Sequence, residues 1–465
     1  MLFGLPLAEH NSVSVNGLQL SAALSTALVK AAGVEFSACL EQLKAWIDTM
    51  IAPPSGAMML VVSLTQLPEL VQEQGFTHAD RRERTLEQLA AGGPVVLGLF
   101  DEVVAAAEQR PAPEAQEMLA SVLRATIVWV ESLRSACPLD NWLASQVMGA
   151  AVKFSTSSLD ALRLSAEVLA ALAAAYLSPD LADLVLKTIM DSVDTVLSST
   201  DNDVHAAEGA ARLVEVIAEV TTPCLSVCSK IDALTEPWTR AFTRLLEFGQ
   251  QHGGRVLAVS LEVWQGVCDI AHRHDIRGGM RHTLHEVLRH VIDVSAQGTM
   301  YPNPSPGVAV WSEQDEEDFE ALRNDVREVV REIVQPRNKK DQDARDHVLH
   351  CLQCAHAQLQ SWYDQVMHDN LGGWQAAESW LHMSTAVAKS IAVFVEEDEV
   401  DGDRQLLDAA LSLMRLFLSA PTHVRPIVRS STMLLSVLSP VVVRLQDSNL
   451  LVECIGFALQ TAYFP

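Results

Sequence analysis

The chain has 465 residues, 49% of them hydrophobic, with 33 Lys and Arg against 59 Asp and Glu and a formal charge of −26. A single compact core rarely grows past about 250–300 residues, and no long Gly/Ser or Pro-rich linker divides this chain, so extension by repetition is expected. So acidic a surface repels nucleic-acid phosphates and anionic membranes, which argues against direct nucleic-acid binding; it suits a basic protein partner, with solubility as the plainer account of the same charge.

Met1 to His10 lacks the basic start and long apolar run of a secretory signal. Residues 1–14 are expected to be unstructured or a residual N-terminal segment. From Ser14 onward, apolar residues recur at helical spacing in segments of about 15–20 residues separated by short breaks. Two neighbours show the unit. Leu162, Leu169, Leu172 and Tyr176 form one apolar stripe, and Leu181, Val185, Ile189, Val193 and Val196 form the next. Ser178 and Pro179 separate them, because Ser caps a helix start and Pro is tolerated in its first turn. Pairs of this kind can be marked at 15–52, 57–109, 112–153, 157–198, 203–250, 254–297, 314–368, 374–418 and 423–461.

Three interruptions stand out along the way. Gly92, Gly93 and Pro94 are expected to end one helix and begin another, Gly278 and Gly279 to separate two helices, and Tyr301 to Gly307, with Pro302, Pro304 and Pro306, to form a loop. Ser312 and Asp315 then read as a capping box opening a new helix. The expected fold is all-α, a HEAT/armadillo-like α-solenoid: a right-handed superhelix of antiparallel helix pairs, since a period near 40–47 favours those units over tetratricopeptides. The expected organisation is helical repeats over 15–300, a Pro-rich loop with the start of an acidic segment over 301–313, and further repeats over 314–465. At the C-terminus Leu450, Leu451, Val452, Ile455 and Phe457 leave no polar cap, so that end is expected to fray or aggregate.

The most apolar helix, Leu159 to Leu177, carries Arg163 and Glu167 and is too short and too charged to span a bilayer. Eight cysteines (Cys39, Cys137, Cys224, Cys228, Cys268, Cys351, Cys354 and Cys454) lie mostly in apolar helical patterns, as free thiols of a reducing compartment do. A soluble intracellular protein is expected.

Candidate chemistry is sparse. His285, Glu286 and His290 miss the four-residue His spacing of a zinc-protease helix, and His272, His274 and His282 read as solvated surface beside the Gly-Gly turn. His347, His350, Cys351 and Cys354 can share one helical face, yet one straight helix cannot wrap four ligands around zinc, so the cysteines are expected to pack inward. Gly249 to Gly254 lies between helices without a preceding strand and makes no dinucleotide fingerprint. No phosphate loop or nucleophile context is present. No enzyme activity, cofactor or metal is expected.

Two acidic runs remain. One holds Glu313, Asp315, Glu316, Glu317, Asp318 and Glu320; the other holds Glu396, Glu397, Asp398, Glu399, Asp401 and Asp403. Acidic residues at a helix start are favoured by the helix dipole. A concentrated anionic patch also attracts Lys/Arg-rich partners. The sequence leaves both accounts open.

Several segments resemble nuclear transport receptors of the importin-β superfamily (karyopherins), most closely the transportin-SR and importin-thirteen branch. These are LVVSLTQLPE at Leu60–Glu69, in which the family's helix ends at the Leu-Pro-Glu turn, ADRRERT at Ala79–Thr85, VLAVSLEVWQGVCDI at Val256–Ile270 with Ser260 and Trp264 in fixed places, DFEALRNDVREVVREIV at Asp318–Val334, and WQAAESWLHMSTAVAKSI at Trp374–Ile391. The resemblance spans about residues 15–445 and implies a chain truncated at both ends, because such receptors are much longer. It implies a carrier of basic protein cargo that shuttles between nucleus and cytoplasm under control of the Ran GTPase, meets nucleoporins at the pore and inserts in no membrane. It assigns no catalytic residue and no specific contact; the acidic run Glu313, Asp315, Glu316, Glu317, Asp318 and Glu320 is the candidate for partner contact, Asp315 to Asp318 above all. The alternative is a HEAT-repeat scaffold or regulatory subunit of a multiprotein complex unrelated to transport. An all-helical enzyme comes third.

Overall fold

A computed structural model describes Leu40, Ile276 and residues 54–73, 79–133, 137–198, 206–273, 278–301, 313–338, 341–366, 373–395, 404–420, 424–445 and 448–462. Every regular element among the described residues is helical. The chain forms two compact units, one of residues 1–205 with 219–228 and one of 206–218 with 229–465. The first unit contains α1 (Pro54–Glu73), α2 (Ala79–Glu108), α3 (Ala112–Ser132), α4 (Leu139–Ala144), α5 (Gln146–Phe154), α6 (Leu159–Tyr176) and α7 (Pro179–Leu197). Helix α8 (Ala207–Leu225) runs through the division. The second unit continues with α9 (Glu236–His252), α10 (Gly254–Ala271), α11 (Gly278–Gly298), α12 (Glu313–Ile333), α13 (Gln342–Val366), α14 (Trp374–Val395), α15 (Arg404–Ser419), α16 (Arg425–Leu445) and α17 (Ser448–Ala462).

Within each unit, helices pack on the next and the next but one. In the first, α1 packs on α2 and α3, α3 on α5 and α6, and α6 on α7. In the second, α9 packs on α10 and α11, α10 on α12, α12 and α13 on α14, α14 on α16, and α16 on α17. This is the α-solenoid class: successive hairpins, each burying its apolar face on a neighbour. The expected pairs from 57–109 to 423–461 coincide with these helices, while 15–52 lies outside the described residues apart from buried Leu40.

The pair α6–α7 shows why. Leu162, Leu169 and Leu172 of α6 and Leu181, Val185, Ile189 and Val193 of α7 are all buried. Leu177 ends α6 in the left-handed region, at φ 44°, a conformation that terminates helices. Ser178 is the N-cap of α7 and Pro179 its first residue, although the Ser178 side chain makes no capping bond. Between α9 and α10, Gly253 and Gly254 turn the chain with φ 54° and 35°. A Cβ on Gly253 would stand 3.4 Å from the Gly298 backbone. Gly249, expected in the interhelical segment, lies inside α9. Gly278 and Gly279 do separate two helices, as the first residues of α11.

Two prolines correct the sequence reading. Helix α2 runs unbroken through Gly92, Gly93 and Pro94. Pro94 is exposed, so the carbonyl four residues back, left without a donor, is within reach of water. Helix α1 likewise continues past Pro68 to Glu73 instead of ending at the Leu-Pro-Glu turn. Pro68 is buried, and the acceptor it deprives is the Leu64 carbonyl. The indole Nε1–H of Trp129, on α3, donates to that carbonyl at 2.9 Å in the interior. A side chain from the neighbouring helix thus replaces the missing backbone donor.

By length and composition, Glu83–Glu108 within α2 is apolar enough to cross a bilayer. Half of it is buried in the protein: Leu89, Val96, Leu99, Phe100 and Val103 lie in the core. Its Asp101 accepts the backbone N–H of Val147 at the start of α5, at 3.1 Å.

Candidate partner-binding surface and polar interior

The acidic segment forms the first turns of α12. Glu313 opens the helix, its side chain outside the described set, and Asp315, Glu316, Glu317 and Asp318 are exposed. Gln314 Nε2 donates to Asp318 Oδ1 at 2.7 Å. Residues 302–312, which include Ser312 and most of the expected loop, lie outside the described residues, as does the second acidic run at 396–403. The helix start accounts for carboxylates in the first turn; it does not by itself need four of them facing water.

Glu320 behaves differently from the rest of its run. It is half-buried, accepts the Tyr301 hydroxyl at 2.6 Å, and stands 3.7 Å from Arg323 and 3.5 Å from Arg429. It joins an interior network, unlike the four exposed acids before it. The centre of that network is Arg323. Its Nη2 donates to Glu378 Oε1 at 2.7 Å, and both side chains are almost fully buried. Ser430 donates to the same oxygen at 2.6 Å. The guanidinium also lies 4.6 Å from the centre of the Tyr301 ring, and Tyr301 packs against Phe319 and Trp374. Burial pushes the Glu378 carboxyl above its ordinary value despite the opposing pull of Arg323. The neighbouring His382 is buried and held down to about 3, first by burial and then by Arg323 and Arg327. Sequence reasoning passed over this pair, though a signal existed. Arg323 sits on the same stripe as buried Val326, Val330 and Ile333, and Glu378 sits between buried Ala377 and Leu381. A charge on an apolar stripe needs a partner.

The histidines also depart from expectation. His282 is exposed, but His285 is buried, and its Nδ1 lies 3.0 Å from His347 Nε2. His272 is half-buried beside them, with ring centres 6.4 Å apart. His274 lies outside the described residues. Burial first, then neighbouring positive groups, lowers all three: His272 by direction, His285 to about 4 despite Asp343 at 3.3 Å, and His347 to about 3. They are neutral packing groups in one polar seam. Arg337 closes that seam by pairing with Asp341 at 2.9 Å and donating to the His272 carbonyl.

The His/Cys face of α13 is divided. Cys351 is fully buried, and burial pushes its thiol up, as it does for Cys224 and Cys268. The seven described cysteines are all free. His350 and Cys354, in contrast, are only half-buried and meet Asp293 of α11. His350 Nε2 lies 2.6 Å from Asp293 Oδ1, and Cys354 Sγ lies 3.8 Å from the same nitrogen. The hydrogen bond to Asp293 holds His350 up at about 9, with Cys354 adding to it. The second helix that the sequence reading lacked is therefore present.

Ser260 and Trp264, singled out for their fixed places, serve the fold: the buried indole Nε1–H donates to Ser260 Oγ at 3.0 Å, and Trp264 packs on Phe242, which packs on Trp238.

No protein-family profile matches the chain, and no curated protein matches it in sequence. Among solved structures, importin 13 in its cytosolic state superposes over 97% of this chain with a TM-score of 0.61 at 13% identity. The fold is importin-like. The chain spans 56% of that protein's length, a little over half. A circular tandem-repeat protein with a novel repeat topology is a looser likeness, covering 96% of this chain with a TM-score of 0.32 at 15% identity.

Proposed function

We propose that this importin-like chain is a nuclear transport receptor, or a fragment of one, that carries protein cargo between cytoplasm and nucleus. The single observation behind this reading is the superposition of nearly the whole chain on importin 13. The charge of −26 and the exposed carboxylates at the start of α12 support a basic partner, either Lys/Arg-rich cargo or Ran. The protein acts by binding, without catalysis or cofactor, shuttles between the two compartments and meets nucleoporins on the way.

The test is binding of the full chain to Ran loaded with GTP or GDP and to a Lys/Arg-rich cargo segment, with the accumulation of that cargo in nuclei of permeabilised cells as the functional readout. Reversing Asp315, Glu316, Glu317 and Asp318 to Lys should slow association and flatten its salt dependence, since the attraction is screened over about 8 Å at physiological salt. Binding that ignores the nucleotide, together with no nuclear accumulation of cargo, would favour a helical-repeat scaffold instead. Unchanged association of the charge-reversed chain with a confirmed partner would leave the helix dipole as the better account of those acids.

A further inference from the structure

We infer that Asp293, His350 and Cys354 form a binding site for a zinc-class transition-metal ion joining α11 to α13. The three donors come from two helices that pack on each other, and one ligand atom from each lies within 4.8 Å of the others. His350 and Cys354 are four residues apart on α13, the spacing that puts two side chains on one helical face. Asp293 supplies the third ligand from outside that helix, which a single straight helix could not do.

Two of the three donor separations can be set against a metal geometry, and the third lies within 4.8 Å. Zinc bonds near 2.0–2.1 Å to nitrogen, 2.3 Å to sulfur and 2.0–2.2 Å to oxygen put neighbouring tetrahedral donors roughly 3.3–3.6 Å apart. His350 Nε2 and Cys354 Sγ stand at 3.8 Å, and His350 Nε2 and Asp293 Oδ1 at 2.6 Å. The thiol needs to approach by about 0.3 Å and the carboxylate to withdraw by about 0.8 Å, which are side-chain movements. Such movements are open to these groups because all three are half-buried. The Trp380 ring stands edge-on to His350, with centres 6.1 Å apart.

The donor set selects the ion. Thiolate, imidazole and carboxylate together suit a borderline-soft cation and not magnesium or calcium, which favour oxygen alone. Three protein ligands leave the fourth position to water. Asp293 also borders an open hollow of ≈ 390 Å³ lined with Glu247, Gln250 and His290, through which an ion and its water can reach the carboxylate. The other Cys and His of that face, the buried Cys351 and His347, are turned into the core and the histidine seam.

The test uses the full chain, reduced and stripped with chelator, and cobalt(II) as an optical stand-in for zinc. A thiolate-to-cobalt charge-transfer band should grow to saturation at one equivalent and be abolished by zinc. Cys354→Ser should lose the band. Asp293→Asn and His350→Gln should weaken zinc binding, read by competition with a chromophoric chelator, by more than the about 10–100-fold typical of losing an outer-shell partner. Cys454→Ser should change neither. Circular dichroism checks the fold of each variant. A second measurement needs no variant: zinc should slow alkylation of Cys354 in the unaltered chain, read by peptide mass, and leave the rate at Cys454 unchanged. Absence of a saturable band, its persistence in folded Cys354→Ser, or alkylation of Cys354 indifferent to zinc would each overturn the site.

Discussion

Removing the carboxylate of Glu378 isolates a guanidinium in the core of the second unit. Arg323 is 1% exposed and Glu378 2%, so neither charge can turn to water. Breaking a buried pair from one side costs about 3–5 kcal/mol, because the remaining ion keeps its desolvation penalty. Arg323 retains Glu320 at 3.7 Å and the Tyr301 ring at 4.6 Å. Glu378→Ala should therefore sit at the lower end, about 3 kcal/mol, and Glu378→Gln, which keeps an acceptor for Arg323 and Ser430, about 1–2 kcal/mol. The two-sided change is the sharper test. Desolvation offsets much of the attraction in a buried ion pair, so well-packed apolar residues often match it. Arg323→Met with Glu378→Leu and Ser430→Ala should thus come within about 1 kcal/mol of the parent, or exceed it. Urea unfolding measures the total, and hydrogen exchange of α12 and α14 amides localises the loss, which matters because a long repeat chain need not unfold in one step. A Glu378→Ala variant as stable as the parent, or a triple variant worse than the single one, would refute the reasoning.

Other outcomes follow from the same structure. Glu320→Lys should destabilise the second unit by about 2 kcal/mol or more, by placing a cation beside Arg323 and Arg429 and leaving Tyr301 without its acceptor; Glu316→Lys should stay within about 0.5 kcal/mol, and thermal melts compare the two. Stability should fall on acidification. His285, His347 and His382 resist protonation until about pH 4, 3 and 3 in the fold, against 6.5 for a free imidazole. Unfolding therefore takes up protons below pH 6.5, and the stability present above that value is lost as the pH drops toward 4, by up to about 1.4 kcal/mol per unit for each imidazole; urea midpoints between pH 7 and 4.5 read it, and a flat profile would contradict it. On α17, Leu450, Cys454 and Phe457 are buried while Leu451, Val452, Ile455 and Leu459 are exposed. Changing those four to Gln should improve solubility in light-scattering assays with little change in melting, whereas Phe457→Ala should cost about 3 kcal/mol.

The helix pairs were legible because each had to bury a stripe, and a stripe is written locally. The stripes of α6 and α7 and the Ser178–Pro179 break are all found where the sequence put them. Pro68 and Pro94 misled because a proline's effect on a helix depends on what meets the orphaned carbonyl, which lies on another helix or in water. The exposed acids from Asp315 to Asp318 were readable, but Glu320 was not separable from them until Tyr301 and Arg429 were in place. His285 was tried only against His290 on its own helix because its partner, His347, lies 62 residues on. Asp293 could not be joined to His350 for the same reason: nothing within one helix announces a ligand on the next. Arg323 was the missed opportunity, since an arginine in step with Val326, Val330 and Ile333 is visible without any structure.

The bond between Trp129 and Leu64 bears on how a chain of look-alike helices avoids assembling wrongly. Smooth apolar faces accept one another in several alignments, and a protein built of many such faces risks pairing the wrong two. The Leu64 carbonyl, denied its own helix's donor by Pro68, can be satisfied in the dry interior by an indole from 65 residues away. Sliding α3 by one turn, about 5.4 Å, would strip it bare, at about 1–3 kcal/mol for the unmet acceptor. The proline thus works as an address and the tryptophan as its reader, and together they favour one alignment of α1 with α3 during folding. The two positions should tolerate change jointly: Pro68→Ala returns a donor to the carbonyl and strands the indole, whereas Trp129→Phe strands the carbonyl.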